Sequence, residues 1–250
     1  MGIYHMKERV PFFFSKFLFS LTVIFLSACG GGGGGNSDTN GDSGIDNSGG
    51  GSGNVTFGEY DLTTYLFHQN LDLLGGKISY LVKLYSKGDG EEISPSIETM
   101  EEYEKTSEDT VVFRVSTSSE PKNTFLIKDT TVQETVHALN NQTRDFQRFV
   151  EVGTKYIDAD AITAIGTQNA SCTLIEHLDS FDLSTATGGY NLASGVYDDV
   201  LHVQCITGFV TNATVVAHTD IHHYFAKDIG LILNEGIMIL LGEIYIIPQR

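Results

Sequence analysis

The sequence predicts an all-β or mainly β fold, a curved antiparallel sheet that is half-barrel or sandwich-like, with few short helices. The first observation is a period-two alternation of apolar and polar residues, which is typical of half-buried strands. It recurs in residues 78–85, 111–115, 201–205 and 215–225. The second observation is a set of glycine-containing turn signals between these runs. Strands joined by short turns pair antiparallel, because parallel pairs need long crossovers.

Turns are predicted at residues 87–90, 187–189 and 234–236. The last of these, with a turn at residues 226–230, would make a meander in which Gly230 and Gly236 adopt positive φ. A final strand at residues 237–247 is apolar on both faces, which predicts a central position in the sheet.

Strongly helical stretches are scarce. Residues 129–140 and 158–166 are the best candidates for short helices. Three neighbouring acids, Glu101, Glu102 and Glu104, are predicted to form a solvated strand face.

Residues 1–28 have the three parts of a secretory signal. Lys7, Arg9 and Lys16 form a positive start, and the apolar run at residues 17–26 is shorter than the ~20 residues needed to span a bilayer. A transmembrane helix and an ordinary signal peptide are the alternatives to a lipoprotein signal.

The end of this segment decides between them. Residues 26–29, LSAC, resemble the lipobox of bacterial lipoproteins. The resemblance implies diacylglycerylation of the Cys29 thiol, cleavage before Cys29 and acylation of the new amine, which would anchor the chain in a membrane. Gly30 follows where an Asp often retains lipoproteins in the inner membrane. An outer-membrane location is therefore expected, with the leaflet left open.

Composition divides the rest of the chain. Residues 29–53 carry the lipidated cysteine and a glycine-rich stretch predicted to be a disordered tether with a span of roughly 25–30 Å. Residues 54–250 are long enough for a single antiparallel β domain. Removal of residues 1–28, which hold three basic and one acidic residue, changes the formal net charge from −17 to −19. Such an acidic chain is not expected to bind nucleic acid.

Two cysteines remain after Cys29. In an oxidising compartment, Cys172 and Cys205 most simply form a disulfide. A catalytic cysteine and two buried free thiols are the alternatives. Alternation places Cys205 on the apolar side of its strand.

Three further segments resemble a set of uncharacterised bacterial lipoproteins. Residues 60–67, YDLTTYLF, are similar to a YDLxxYLFP opening that follows the tether in that set. Residues 197–201, YDDVL, are similar to its YxDVL strand, and residues 224–232, YFAKDIGLI, to its YYAKGVGLI hairpin. The chain departs from the pattern at His68, where Pro is common, and at Asp228, where Gly stands. More distantly, the predicted architecture resembles half-barrel lipoprotein carriers, which implies an apolar cavity wrapped by the sheet.

Histidines supply the one weak candidate for a metal site. His218, Asp220 and His222 share a strand face, with His202 on a possible neighbouring strand, while His223 points the other way. Residues four apart on a strand are about 13 Å apart, so His218 and His222 cannot bind one ion. A solvated polar face explains these residues better, and no metal or other cofactor is predicted.

Enzyme signatures are missing from the sequence. It contains no Gly-x-Ser-x-Gly elbow, no His-Glu-x-x-His and no phosphate-binding glycine loop. The favoured hypothesis is a non-enzymatic envelope lipoprotein that binds an apolar ligand or lipid, or supports envelope assembly. A protein-interaction module on the envelope is the alternative, and a metal-dependent hydrolase is a third. The expected partners are the membrane, through the lipid, and a small apolar ligand or an envelope protein.

Overall fold

The computed structural model describes residues 59–93, 99–115, 119–137, 141–163, 166–190, 192–211, 214–238 and 242–249. Cys29, the signal and the tether lie outside these ranges. The strands are β1 (Tyr60–Asp61), β2 (Lys77–Ser86), β3 (Thr99–Ser107), β4 (Thr110–Val115), β5 (Asn123–Ile127), β6 (Thr131–Val136), β7 (Gln142–Gln147), β8 (Phe149–Val150), β9 (Lys155–Thr163), β10 (Gly166–Asp182), β11 (Val196–Thr211), β12 (Thr214–Ala226), β13 (Gly230–Met238) and β14 (Gly242–Gln249).

Helical structure in the described residues is limited to single turns. These are α1 (Thr63–Leu66), a 3-10 turn (Gln69–Asp72) and α2 (Leu183–Ala186). Asp182 is the N-cap of α2 and accepts a hydrogen bond from the Ser184 backbone N–H at 3.0 Å. Asp61, one residue before the Leu62 N-cap of α1, accepts from the Thr63 backbone N–H at 3.0 Å. No helix in this part of the chain is long and apolar enough to cross a membrane.

One antiparallel sheet of twelve strands organises the described residues. Its order is β7-β6-β5-β4-β3-β2-β14-β13-β12-β11-β10-β9, and β1 pairs separately with β8. The end strands β7 and β9 contact each other but do not pair, so the sheet curls into a sandwich-like arrangement without closing. The predicted fold class is confirmed.

The inner face of this curled sheet carries the main hydrophobic core. Alternate residues of β4 (Val111, Phe113 and Val115) are 1% exposed each and pack there with Leu201 and Val203 of β11. The period-two pattern in the sequence therefore identified the buried face of these strands correctly.

Residues 60–76 form a covering segment that packs on the inner core. Leu62, Tyr65, Phe67 and Leu71 are its buried side chains. At its end, a Cβ on Gly76 would lie 1.9 Å from the Asn70 carbonyl oxygen, so only glycine fits this return into β2.

A second cluster uses the outer face of the sheet. Tyr224, Leu233 and Tyr245 are buried there. The cluster is completed by Leu183 of α2, with partly buried residues that follow α2 packed against it. Strands β12 to β14 are thus covered on both faces around these residues, which explains the apolar residues that the sequence places on both sides of the C-terminal strands.

Both helix predictions are wrong. Residues 129–140 contain β6, and residues 158–166 fall mainly in β9. The inner face of β6 combines Val132 and Val136 with the acidic Glu134, all at 2% exposure or less. A carboxylate among inward positions breaks the apolar alternation that marks a strand, so the local pattern was misleading.

The C-terminal meander also differs from the prediction. Residues 234–236 do not turn but continue β13, while the turn at residues 226–230 is present. Gly236 has φ +151°, and a Cβ there would lie 2.1 Å from the Asp220 carbonyl oxygen on β12. Glycine is needed for close strand approach, not for a turn. Residues 237–238 end β13 and residues 242–247 lie in β14, which is central in the sheet as predicted.

The predicted disulfide joins Cys172 and Cys205. The two residues lie directly opposite each other on β10 and β11, with a Cα–Cα distance of 4.2 Å. Both side chains are 5% exposed and belong to the inner core. The bond therefore joins two neighbouring strands at the wall of the core.

We expect the double substitution Cys172→Ala/Cys205→Ala to lower the free energy of unfolding by roughly 3–4 kcal/mol, because the crosslink closes a loop of 33 residues in the unfolded chain. Urea unfolding of both chains would measure this. Reduction of the wild type should give the same loss, and an unchanged midpoint in either case would contradict the prediction.

Candidate functional site

A cavity of about 70 Å³ lies inside the curl of the sheet. Its wall comes from both halves of the sheet and from the covering segment, and most of its area is apolar. Prominent wall residues are Phe67, Leu71, Phe125, Phe146, Phe225 and Leu231. The cavity lies against the disulfide, since Cys172 and Cys205 also line it. The concave inner face is therefore not completely filled by its own side chains.

A buried ion pair forms one polar part of the wall. Glu134 on β6 and Arg144 on β7 stand directly opposite each other in the sheet and form a salt bridge. Asn123 donates a second hydrogen bond to the Glu134 carboxylate. Burial raises the pKa of Glu134, while the guanidinium and the amide oppose this rise. The guanidinium and the Asn123 N–H compensate the buried carboxylate, while Asn123 Oδ1 has no hydrogen-bond partner among the described residues.

Glu101 adds an acid to the same cavity. The three acids of β3 do not share one face: Glu102 and Glu104 lie within 4 Å of Arg114 on the outer face, whereas Glu101 lines the cavity. The prediction of a solvated face is wrong for Glu101, because strand alternation turns it inward. Burial raises the pKa of Glu101 to about 7, and the charge of Lys122 partly opposes the rise.

His223 is the fully buried histidine of the cavity wall. It lies on β12 with 1% exposure, and its Nδ1 is 2.6 Å from Oδ1 of Asn234 on β13. Burial lowers the pKa of His223 to about 4, so the ring is neutral at pH 7. Within the described part of the chain, Nε2 of His223 has no hydrogen-bond partner.

The histidines considered for a metal lie on the outer face instead. His202 Nε2 is 2.7 Å from His222 Nδ1, and His202 Nδ1 is 2.9 Å from a Glu176 carboxylate oxygen. Asp220 accepts a hydrogen bond from Gln204 at 2.9 Å.

Stacking accounts for part of this outer arrangement. The ring centroids of His202 and Tyr224 are 4.5 Å apart, and the rings stack. Phe181 also stacks on Tyr224, with the same 4.5 Å between ring centroids. The side chain of His218 falls outside the described portion. Among the described residues, no group of three or more His, Cys, Asp or Glu side chains could hold a metal ion.

The contacts of Asp199 on β11 are not predicted by the sequence. Asp199 accepts hydrogen bonds from the Tyr65 hydroxyl at 2.6 Å and the Lys227 ammonium at 3.2 Å, and its carboxylate is 2.8 Å from His177 Nε2. Burial alone would raise the pKa of Asp199, but these hydrogen bonds hold it below its usual range. The three segments that carry the lipoprotein resemblance therefore meet at Asp199, which fastens the covering segment to β11 and β12.

Comparisons with known proteins do not identify a function for this site. No family model matches the sequence, and no curated protein matches it significantly. Two solved structures are similar: a protein assigned as exported, with a YmcC-like fold, from Bacteroides fragilis, and one assigned as a lipoprotein from Parabacteroides distasonis. Their identities are 10% and 9%, each covers 75% of this chain and 98% of its own, and both TM-scores are 0.37. At these TM-scores the likeness supports no inference about this chain.

The acid in the cavity predicts a pH dependence of stability. The folded pKa of Glu101, about 7, lies above its ordinary 4.5, so its contribution is complete below pH 4.5 and is lost as the pH rises through 7. We expect Glu101→Gln to remove a decline of about 1–3 kcal/mol between these values. Urea unfolding across the range would measure this. Glu102→Gln, on the outer face of the same strand, should keep the decline, and parallel profiles for wild type and E101Q would refute the assignment.

Proposed function

We propose that this chain is a lipid-anchored protein of the bacterial cell envelope that binds a small apolar ligand inside its curved sheet and catalyses no reaction. The observation that carries the proposal is the cavity, whose wall is mainly aromatic and aliphatic with a few placed polar groups. Ligand sites in proteins have this composition and this concave shape. The anchor at Cys29 and the outer-membrane location remain the predictions made from the sequence.

The cavity volume limits the ligand. About 70 Å³ is room for roughly five water molecules, because one water needs ~10–15 Å³. It is also about half of an engineered cavity of ~150 Å³ that binds benzene. The ligand is therefore a molecule of few heavy atoms or the end of a longer chain. A whole acyl chain would need movement of the covering segment, whose Phe67 and Leu71 line the cavity.

The contacts of the reactive side chains support binding over catalysis. Cys172, a candidate nucleophile followed in sequence by Glu176 and His177, is held in the disulfide and has no free thiolate. Glu134 is paired with Arg144 and is not available as a base. A neutral ligand fits these surroundings better than a reacting one.

We expect 1-butanol to bind the full chain saturably, shifting the methyl NMR signals of Leu66, Leu71 and Leu231, which line the cavity. The lipidated chain would be held in nanodiscs, with the free butanol concentration read from its own signals. Ala170→Val, at a cavity-lining position, should weaken binding roughly tenfold, because overpacking costs about 1–3 kcal/mol.

The matched control is Ala193→Val. Ala193 packs against the outer cluster, so the same two added methyl groups leave the cavity unchanged. Cavity methyl signals that stay in place at saturating butanol, or equal affinities for A170V and wild type, would rule out binding in this cavity.

A protein-interaction module is the second candidate. Leu73 and Leu74, at the tip of the covering segment, are 74% and 68% exposed, and an adjacent exposed pair of this kind favours contact with another protein. A photo-crosslinker at position 74 should then capture a discrete envelope protein. The control position is Val152, which is 50% exposed elsewhere. Equal labelling at both positions would count against this candidate.

A further inference from the structure

The unpaired nitrogen of His223 is the feature of the cavity that its packing does not explain. The ring lines the cavity between Ile221 and Phe225 of the same strand, and it is 1% exposed. Two other polar groups of the wall, Glu134 and Arg144, are bonded to each other. Native proteins seldom leave a buried polar atom without a partner, and a specific exception needs an explanation.

The hydrogen bond to Asn234 decides what this nitrogen can do. The Asn234 Oδ1 atom can only accept, so Nδ1 of His223 carries the ring proton. In a neutral ring, Nε2 then holds a lone pair and accepts. The cavity therefore presents a fixed acceptor in an apolar wall, and its complement is a donor.

We propose that His223 Nε2 accepts a hydrogen bond from the ligand, so that the cavity selects small apolar molecules, or chain ends, that carry a hydroxyl or amide N–H donor. This inference rests on the proposed function and names the chemical class of its ligand. Pure hydrocarbons would leave the acceptor unpaired. A carboxylate would bring only acceptors to it, in a cavity whose wall already holds the acids Glu101 and Glu134. A cation would lose its hydration among apolar neighbours.

A bound water is the competing explanation for the acceptor. Buried waters typically make two to four hydrogen bonds. Thr207, a polar wall residue on the neighbouring strand β11, shares its hydroxyl with Thr219. A donor attached to an apolar body gains burial of apolar surface as well as the hydrogen bond, which a single water does not.

Two isomers test the donor directly. 1-Butanol and methyl propyl ether have the same atoms and nearly the same size, but only the alcohol donates. We expect the wild-type full chain in nanodiscs to bind the alcohol roughly 3- to 10-fold more tightly, as one net hydrogen bond implies. Affinities come from the methyl signals of the cavity and the measured free concentration of each probe.

Two variants test whether the preference for the alcohol over the ether depends on the His223 ring. His223→Leu should bind both isomers equally, because the acceptor is gone. His202→Leu makes the same change on the neighbouring strand but on the outer face, at a ring that contacts Glu176 and His222, so it should keep the preference.

A measurement on the wild type covers the case in which His223→Leu does not fold. With 15N-labelled histidine, Nε2 of His223 should appear as an unprotonated nitrogen that shifts with the alcohol and not with the ether. Equal binding of both isomers, or an Nε2 already protonated in the free protein, would overturn the inference and leave the proposed function standing. Failure of both isomers to bind would overturn the proposed function as well.

Discussion

The constraint on which the structure depends is burial of one face of a single large sheet. A twelve-stranded antiparallel sheet cannot cover its own inner face unless it curls, and the contact between β7 and β9 marks where its two ends meet. The ends do not pair, so the interior must also be sealed by other means. The covering segment, residues 60–76, supplies side chains to the core, and the Cys172–Cys205 bond ties two neighbouring strands of its wall.

Curling of the sheet also determines which polar side chains are buried, and burial of a polar group costs free energy unless it is hydrogen-bonded. Glu134, Arg144 and Asn123 all point inward, and their mutual bonds make the burial tolerable. Glu101 and His223 meet the same interior without such complete compensation, which displaces their pKa values in the directions that favour neutral forms. The mainly apolar wall of the cavity, with the unpaired Nε2 of His223 in it, is the feature on which the proposed role rests.

The covering segment depends on contacts far away in sequence. Its Tyr65 bonds to Asp199 of β11, which also contacts Lys227 and His177, so one carboxylate joins the covering segment to β10, β11 and the residue that follows β12. The three segments that were compared with a set of lipoproteins from their sequences each supply a residue to this one contact. Phe67 of the covering segment lines the cavity.

The sequence by itself determined the fold class, the inward face of β4 and β11 and the disulfide, because alternation and cysteine number are local or compositional signals. Only the tertiary structure decided the rest. Residues 129–140 lack clean alternation because Glu134 points inward, where it pairs with Arg144 on another strand. Gly236 predicts a turn from the sequence, but the structure needs glycine there because β12 approaches closely, and no local pattern shows that approach. The cavity and the free nitrogen of His223 arise from strands that meet only when the sheet curls, since a local pattern states which way a side chain points and not what lies opposite.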